Sequence, residues 1–112
     1  MKLTIFLMLR ANPSWLALPR HERSRIGEAA LAEAFGEFGD KGLSLRFFDA
    51  EAFNARVSDV AMIEAGDPKT WYFAMERLRD SPLIADGHFE VVEIVPAFED
   101  GYRTFEASGD AA

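Results

Sequence analysis

The chain has 112 residues, long enough to bury a core without a disulfide or metal staple and short enough to read as a single domain over residues 1–112. It contains no cysteine, which excludes disulfides, thiolate catalysis and cysteine metal sites together. Twelve Lys and Arg against nineteen Asp and Glu leave a net charge of −7, which repels a phosphate backbone or an anionic bilayer, so neither nucleic acid nor membrane is an expected partner.

The opening MKLTIFLMLR is apolar like the centre of a secretory signal, but it ends at Arg10 after one strand length, with no clear small-x-small cleavage site beyond it. Its alternation sets Leu3, Ile5, Leu7 and Leu9 on one side and Thr4, Phe6, Met8 and Arg10 on the other, which predicts a strand over residues 2–10. No run approaches the roughly 18 apolar residues of a membrane helix, so a cytoplasmic protein is expected. After the turn-like ANPS, residues 19–38 place Ile26, Ala30, Leu31, Ala34, Phe35 and Phe38 on one helical stripe. Pro19 suits the first position of that helix, and Gly39 and Gly42 its stop. The basic residues between positions 20 and 25 are interrupted by Glu22 and read as a solvated helix start.

LSLRFFD, residues 43–49, alternates again, with Leu43, Leu45 and Phe47 against Ser44, Arg46 and Phe48. Residues 50–56 carry no assignable element, and Asp49, Arg56 and Asp59 around them read as a turn-capping network. SDVAMIEA, residues 58–65, is a third strand. Asp67 as N-cap and Pro68 at the first helical position open a second helix over residues 68–79 that buries Trp71, Met75 and Leu78. The sequence Asp80-Ser81-Pro82 ends it, because a residue before proline is pushed out of the helical region. A fourth strand covers residues 88–96, and the pattern is lost from Phe98 onward.

Strand, helix, strand, strand, helix, strand is the order of a ferredoxin-like α+β domain, a four-stranded antiparallel sheet with two helices on one face. Its other face then carries Phe6, Met8, Phe48, Val60 and Met62, more apolar surface than a soluble monomer exposes. Pairing two such faces across a two-fold axis buries it, so a homodimer of the α+β barrel type is expected.

The fourth strand, FEVVEIVP, holds a carboxylate at the centre of an apolar run. Strict alternation puts Phe89, Val91, Glu93 and Val95 on one face and His88, Glu90, Val92, Ile94 and Pro96 on the other. A solvated edge, a buried ion pair and a polar group lining a cavity all account for Glu93. On the face toward a second subunit it joins Thr4, Arg10, Ser44, Arg46, Ser58 and Glu64, where Arg46 or Arg10 is placed to pair with Glu93 or Glu64. Thr4, Arg10, Arg46, Glu64 and Glu93 are therefore the ligand-pocket candidates, with a structural ion pair at a subunit contact as the alternative. His88 and Glu90 have the spacing of two metal ligands without a third, and His21 stands on another element, so neither a metal nor a cofactor is expected. Trp15 either covers a cavity mouth or staples the chain. No nucleophile with its base and no glycine-rich phosphate loop is recognisable, and no catalytic residue is assigned.

The stretches TIFLMLRANPSWLAL, RFFDAEAFNARVSDVAMIE and MERLRDSPLIADGHFEVVEIVPAFEDGYR together resemble the darcynin family, small bacterial proteins of unknown function. The resemblance implies a compact α+β domain and a bacterial source, and it supplies no active site to transfer. The expected fold is also similar to the dimeric α+β barrel superfamily, in which cofactor-free monooxygenases, isomerases and heme enzymes stand beside non-catalytic members. The leading expectation is a small organic ligand bound between sheet and helices or in the lumen of a dimer. A cofactor-free oxygenase or isomerase would be marked by a pocket holding an acid or base of perturbed pKa. A non-catalytic interaction or regulatory module would show no pocket and only structural ion pairs.

Overall fold

The computed structural model of the chain describes residues 1–110, apart from the side chains of Glu37, Phe38 and Asp40. Phe38, expected in the first helix's apolar stripe, thus lies outside the described side chains. The elements are β1 (Leu3–Ala11), α1 (Pro13–Leu16), α2 (Arg20–Phe35), β2 (Ser44–Asp49), β3 (Asp59–Ala65), α3 (Pro68–Asp80), α4 (Pro82–Ala85), β4 (Phe89–Ala97) and α5 (Gly101–Ala107), with a 3₁₀ segment at Gly36–Lys41 after α2.

The four strands form one sheet in the order β2-β3-β1-β4, every neighbouring pair antiparallel. This is the expected ferredoxin-like topology. β1 lies between β3 and β4, where ladders on both sides satisfy the backbone groups of the most continuously apolar strand. Ile5, Leu7 and Leu9 point into the helical layer beside their register partners Ile63, Ala61 and Asp59. Ala30, Ala34 and Phe35 of α2 and Ala74, Met75 and Leu78 of α3 close over them. Ile5 and Ile63 are 0% exposed, each contributing about 1.5–3 kcal/mol of apolar burial. The thinnest dimension is 18 Å, room for one sheet and one layer of helices whose own diameter is about 10 Å.

The start of α3 follows the expected chemistry: Asp67 accepts from the Thr70 amide at 2.8 Å and from the Thr70 hydroxyl at 3.1 Å, with Pro68 at the first position. The Thr70 amide, then its hydroxyl, hold the Asp67 carboxyl below its ordinary range. α2 differs from expectation. Pro19 is its N-cap and not its first residue, and with no capping oxygen there the guanidinium of Arg23 reaches back to the carbonyls of Leu18 and Leu16, both at 2.9 Å. α1, α4 and α5 were not expected at all, because each has too few turns to display a helical period.

The strict alternation expected for β4 is overturned. Met8 pairs with Glu93 but Leu9 pairs with Val91, so Val92 is an extra residue at a bulge. A one-residue insertion flips every side chain beyond it. Phe89 and Val91 therefore share the helix face with Leu9, whereas Glu93, Val95 and also Glu90 share the open face with Met8, Phe6 and Arg10.

Candidate functional site

All five ligand-pocket candidates lie on the open face of the sheet, but they do not converge. Thr4 and Glu64 are register partners, and with Arg46 they border a depression of about 490 Å³ near Phe6, Met62 and Phe98. Arg10 and Glu93 lie outside it. The expected pairing of Arg10 or Arg46 with Glu93 or Glu64 is replaced by other contacts. The bulge places Glu90 opposite Arg10, and the two form an ion pair at 2.7 Å. Glu64 lies 3.7 Å from the Lys2 ammonium, and the Arg46 guanidinium stands over the Phe48 ring at 5.3 Å. Glu93 is exposed and has no ion-pair partner among the described residues.

A more apolar, half-open cavity lies on the opposite side, between sheet and helices, with a volume of about 190 Å³. Leu7, Leu9, Ala61 and Ile63 form its floor, and Gly27, Leu31 and Phe35 of α2 its roof. Leu78, Leu83 and Ile84 close one side, while Trp15 and Phe89 close another. Two small residues account for the room. Ala61 sits in the middle of the sheet between Leu7 and Phe47, where a branched side chain would fill the space. Gly27 leaves its side of α2 bare, and a Cβ there would stand 3.8 Å from the edge of the Trp15 ring.

Trp15 is positioned by the short helix α1. The Asn12 side-chain Nδ2 donates to the Gly87 carbonyl at 2.9 Å, and Ser14 Oγ lies 3.0 Å from His88 Nδ1. The Trp15 ring then packs at 5.0 Å from Phe89 and 5.5 Å from His88, centroid to centroid. The ANPSW segment thereby becomes a cavity wall, one of the two roles open to Trp15 from sequence.

At the rim stand Phe47, half exposed, and two carboxylates, Asp49 and Asp59, which are direct register partners across β2 and β3. Asp59 is held by the Ser58 hydroxyl, which donates to its Oδ2 at 2.7 Å and accepts from the Ala11 amide at 2.7 Å. Partial burial pushes the Asp59 carboxyl above its ordinary range and repulsion from Asp49 and Glu51 adds to the rise, against the lowering effect of the Ser58 hydrogen bond. The expected capping network of Asp49, Arg56 and Asp59 is not formed. Asn54 caps this loop, its Oδ1 accepting from the amides of Arg56 and Val57, both at 2.8 Å, and the Arg56 guanidinium makes no ion pair with either aspartate. Sequence reasoning allowed a ligand between sheet and helices but named none of these lining residues except Trp15 for it, and gave Asp49 and Asp59 a turn-capping role. The site's signal was an apolar face that ends in an aspartate on two successive strands, Leu45-Phe47-Asp49 and Asp59-Ala61-Ile63, with a small residue between.

A family model described as darcynin, a domain of unknown function, matches residues 1–111. The chain belongs to the darcynin family. Darcynin 1 of Acinetobacter baumannii is 35% identical over 92 residues, which are 82% of this chain and 100% of that protein. A darcynin homolog of Streptomyces avermitilis is 36% identical over 103 residues, 91% of this chain and 84% of the relative. The darcynin of Chromobacterium violaceum is 52% identical over 63 residues, 56% of this chain and 80% of its own length. Among solved structures, a novel heme-binding protein of Thermus thermophilus superposes with a TM-score of 0.74 at 15% identity over 94% of this chain. The chlorite dismutase of Candidatus Nitrospira defluvii in complex with imidazole gives 0.71 at 11% identity over 92%. This darcynin chain spans only 44% and 46% of those two proteins, so the likeness is one of fold.

Proposed function

We propose that this darcynin-family chain binds a small, largely apolar organic molecule between its sheet and its helices, and that it does so as a homodimer closed through the open sheet face. The observation that carries the first part is the cavity itself. It is a half-open space walled by aliphatic and aromatic side chains, with polar groups at one rim, the usual composition of a ligand site. An apolar cavity of roughly 150 Å³ is enough for benzene, so about 190 Å³ suits a single ring or a short branched chain. Support for the second part comes from Phe6, Met8, Phe48, Val60, Met62 and Val95, which share the face opposite the buried core and are only half-buried or exposed. Two copies of the chain also come to about the length of one solved neighbour.

The heme named for the Thermus thermophilus neighbour does not fit this cavity. None of the described lining side chains is His, Cys, Met or Tyr, the residues that hold heme iron, and the rim offers two carboxylates instead.

Native mass spectrometry of the protein isolated from its own host tests the proposal. A dimer with a reproducible added mass, lost on Gly27→Leu substitution, is the expected result, because a leucine there fills the roof of the cavity while improving the helix. An empty dimer together with failure of small apolar probes to bind would overturn it. A cofactor-free enzyme is a second reading, favoured by one observation: a carboxyl raised by burial at the edge of an apolar cavity is suited to proton transfer. On that reading the bound molecule turns over and Asp59→Asn abolishes turnover without loss of binding.

A further inference from the structure

Among the described side chains around the cavity only Asp49 and Asp59 carry formal charge, and both are negative. They face each other directly in the ladder, where like charges repel. The groups packed around them supply no compensation. From the β2–β3 connection, Glu51 adds a third negative charge and Arg56 offers no ion pair. From β1, the register partner of Asp59 is Leu9. From the helical layer, the described cavity residues are Trp15, Gly27, Leu31, Phe35, Leu78, Leu83 and Ile84, none of them charged. Among the described residues no Lys, Arg or His lies within ion-pair distance of either carboxylate, and no group of acidic or histidine side chains is arranged to hold a metal ion.

Resting on the cavity reading above, we propose that the site is selective for organic cations: a primary amine with one aromatic ring or a short apolar chain, its body in the cavity and its ammonium at the Asp49–Asp59 rim. An ammonium brings three donors and one positive charge to a place that has carboxylate acceptors and no cation. The half-exposed ring of Phe47 on the same rim adds an aromatic face that attracts a cation and repels an anion. A neutral ligand would leave the opposed carboxylates uncompensated, and an anionic one would add to the repulsion. An amine bound at this rim favours the charged form of Asp59, so its affinity rises with pH through the raised carboxyl pKa, and binding near that pH releases a proton.

Three probes of matched shape decide it, 2-phenylethylamine, 2-phenylethanol and phenylacetate, titrated calorimetrically into the full chain at neutral pH and low salt. The amine is expected to bind at least roughly tenfold more tightly than the alcohol, the scale of one charge-assisted hydrogen bond, and phenylacetate most weakly. Asp49→Asn and Asp59→Asn, which relieve repulsion and keep the shape, are expected to bring the amine down to the affinity of the alcohol while leaving the alcohol unchanged. Equal affinity for alcohol and amine, or an amine preference that survives the double substitution, would overturn the charge assignment and leave the cavity reading standing. Failure of all three probes to bind would overturn both.

Discussion

The two faces of this sheet are built from alternate residues of the same strands, yet they have different fates. On one, Ile5, Leu7, Ala61 and Ile63 are buried by the chain's own helices, and the small residues among them leave an apolar cavity with a negative rim. On the other, Phe6, Met8, Met62 and Val95 are only partly shielded and share their surface with exposed ion pairs such as Arg10–Glu90. The comparison teaches that charge within a strand is a poor guide to where chemistry sits. Glu93, conspicuous in its apolar run, is an exposed residue, whereas Asp59, inconspicuous at a strand end, is a carboxylate whose pKa burial raises.

Substitutions of adjacent residues sharpen that contrast most. Ile63→Ala, on the covered face, is expected to cost about 3 kcal/mol in urea unfolding, from lost transfer energy and the void left behind. Met62→Ala, one residue away, is expected to cost under about 1 kcal/mol in dilute protein, with a loss that grows with concentration as the dimer contributes. A charge breaks the comparison from the other side. Met8→Asp places a carboxylate at the centre of the proposed subunit contact and is expected to halve the mass seen by light scattering; an unchanged dimer would remove that face from the interface.

A smaller effect tests the rim. A carboxyl whose folded pKa is raised stabilises the fold below its unfolded pKa and loses that contribution as pH rises through the folded value. Asp59→Asn is therefore expected to match the parent chain in acid and to become more stable as pH rises to neutral, by about 0.5 kcal/mol, the scale of one opposed like-charge pair. A parent chain that stayed the more stable at neutral pH would mean that the repulsion is already compensated. The smallest effect belongs to the open face: Arg10→Ala removes an exposed ion pair and is expected to change stability by less than about 1 kcal/mol, declining further in salt.

The fold was largely legible in the sequence because β1, β2 and β3 alternate without interruption and α3 carries its start signals in adjacent residues, Asp67 and Pro68. β4 was not, since a bulge leaves no mark in a run of valines: Val91 and Val92 are chemically alike, and only pairing with β1 decides which is the extra residue. The site was legible in its parts and not in its assembly. Thr4, Arg46 and Glu64 do share a surface, but parity places residues on a face and says nothing of where an apolar space is left. The cavity came from what is absent at Gly27 and Ala61 and from a four-residue helix that carries Trp15 inward, none of which a period of two or 3.6 reports.

The central claim is that ligand enters on the covered face. Methyl-resolved NMR of the full chain titrated with 2-phenylethylamine tests it most directly, because both faces carry methyl groups that report separately. Saturable shifts are expected at Leu7, Leu31, Ile63 and Ile84, with Met8, Met62 and Val95 unmoved. Shifts confined to Met8, Met62 and Val95 would place binding on the open face and contradict it.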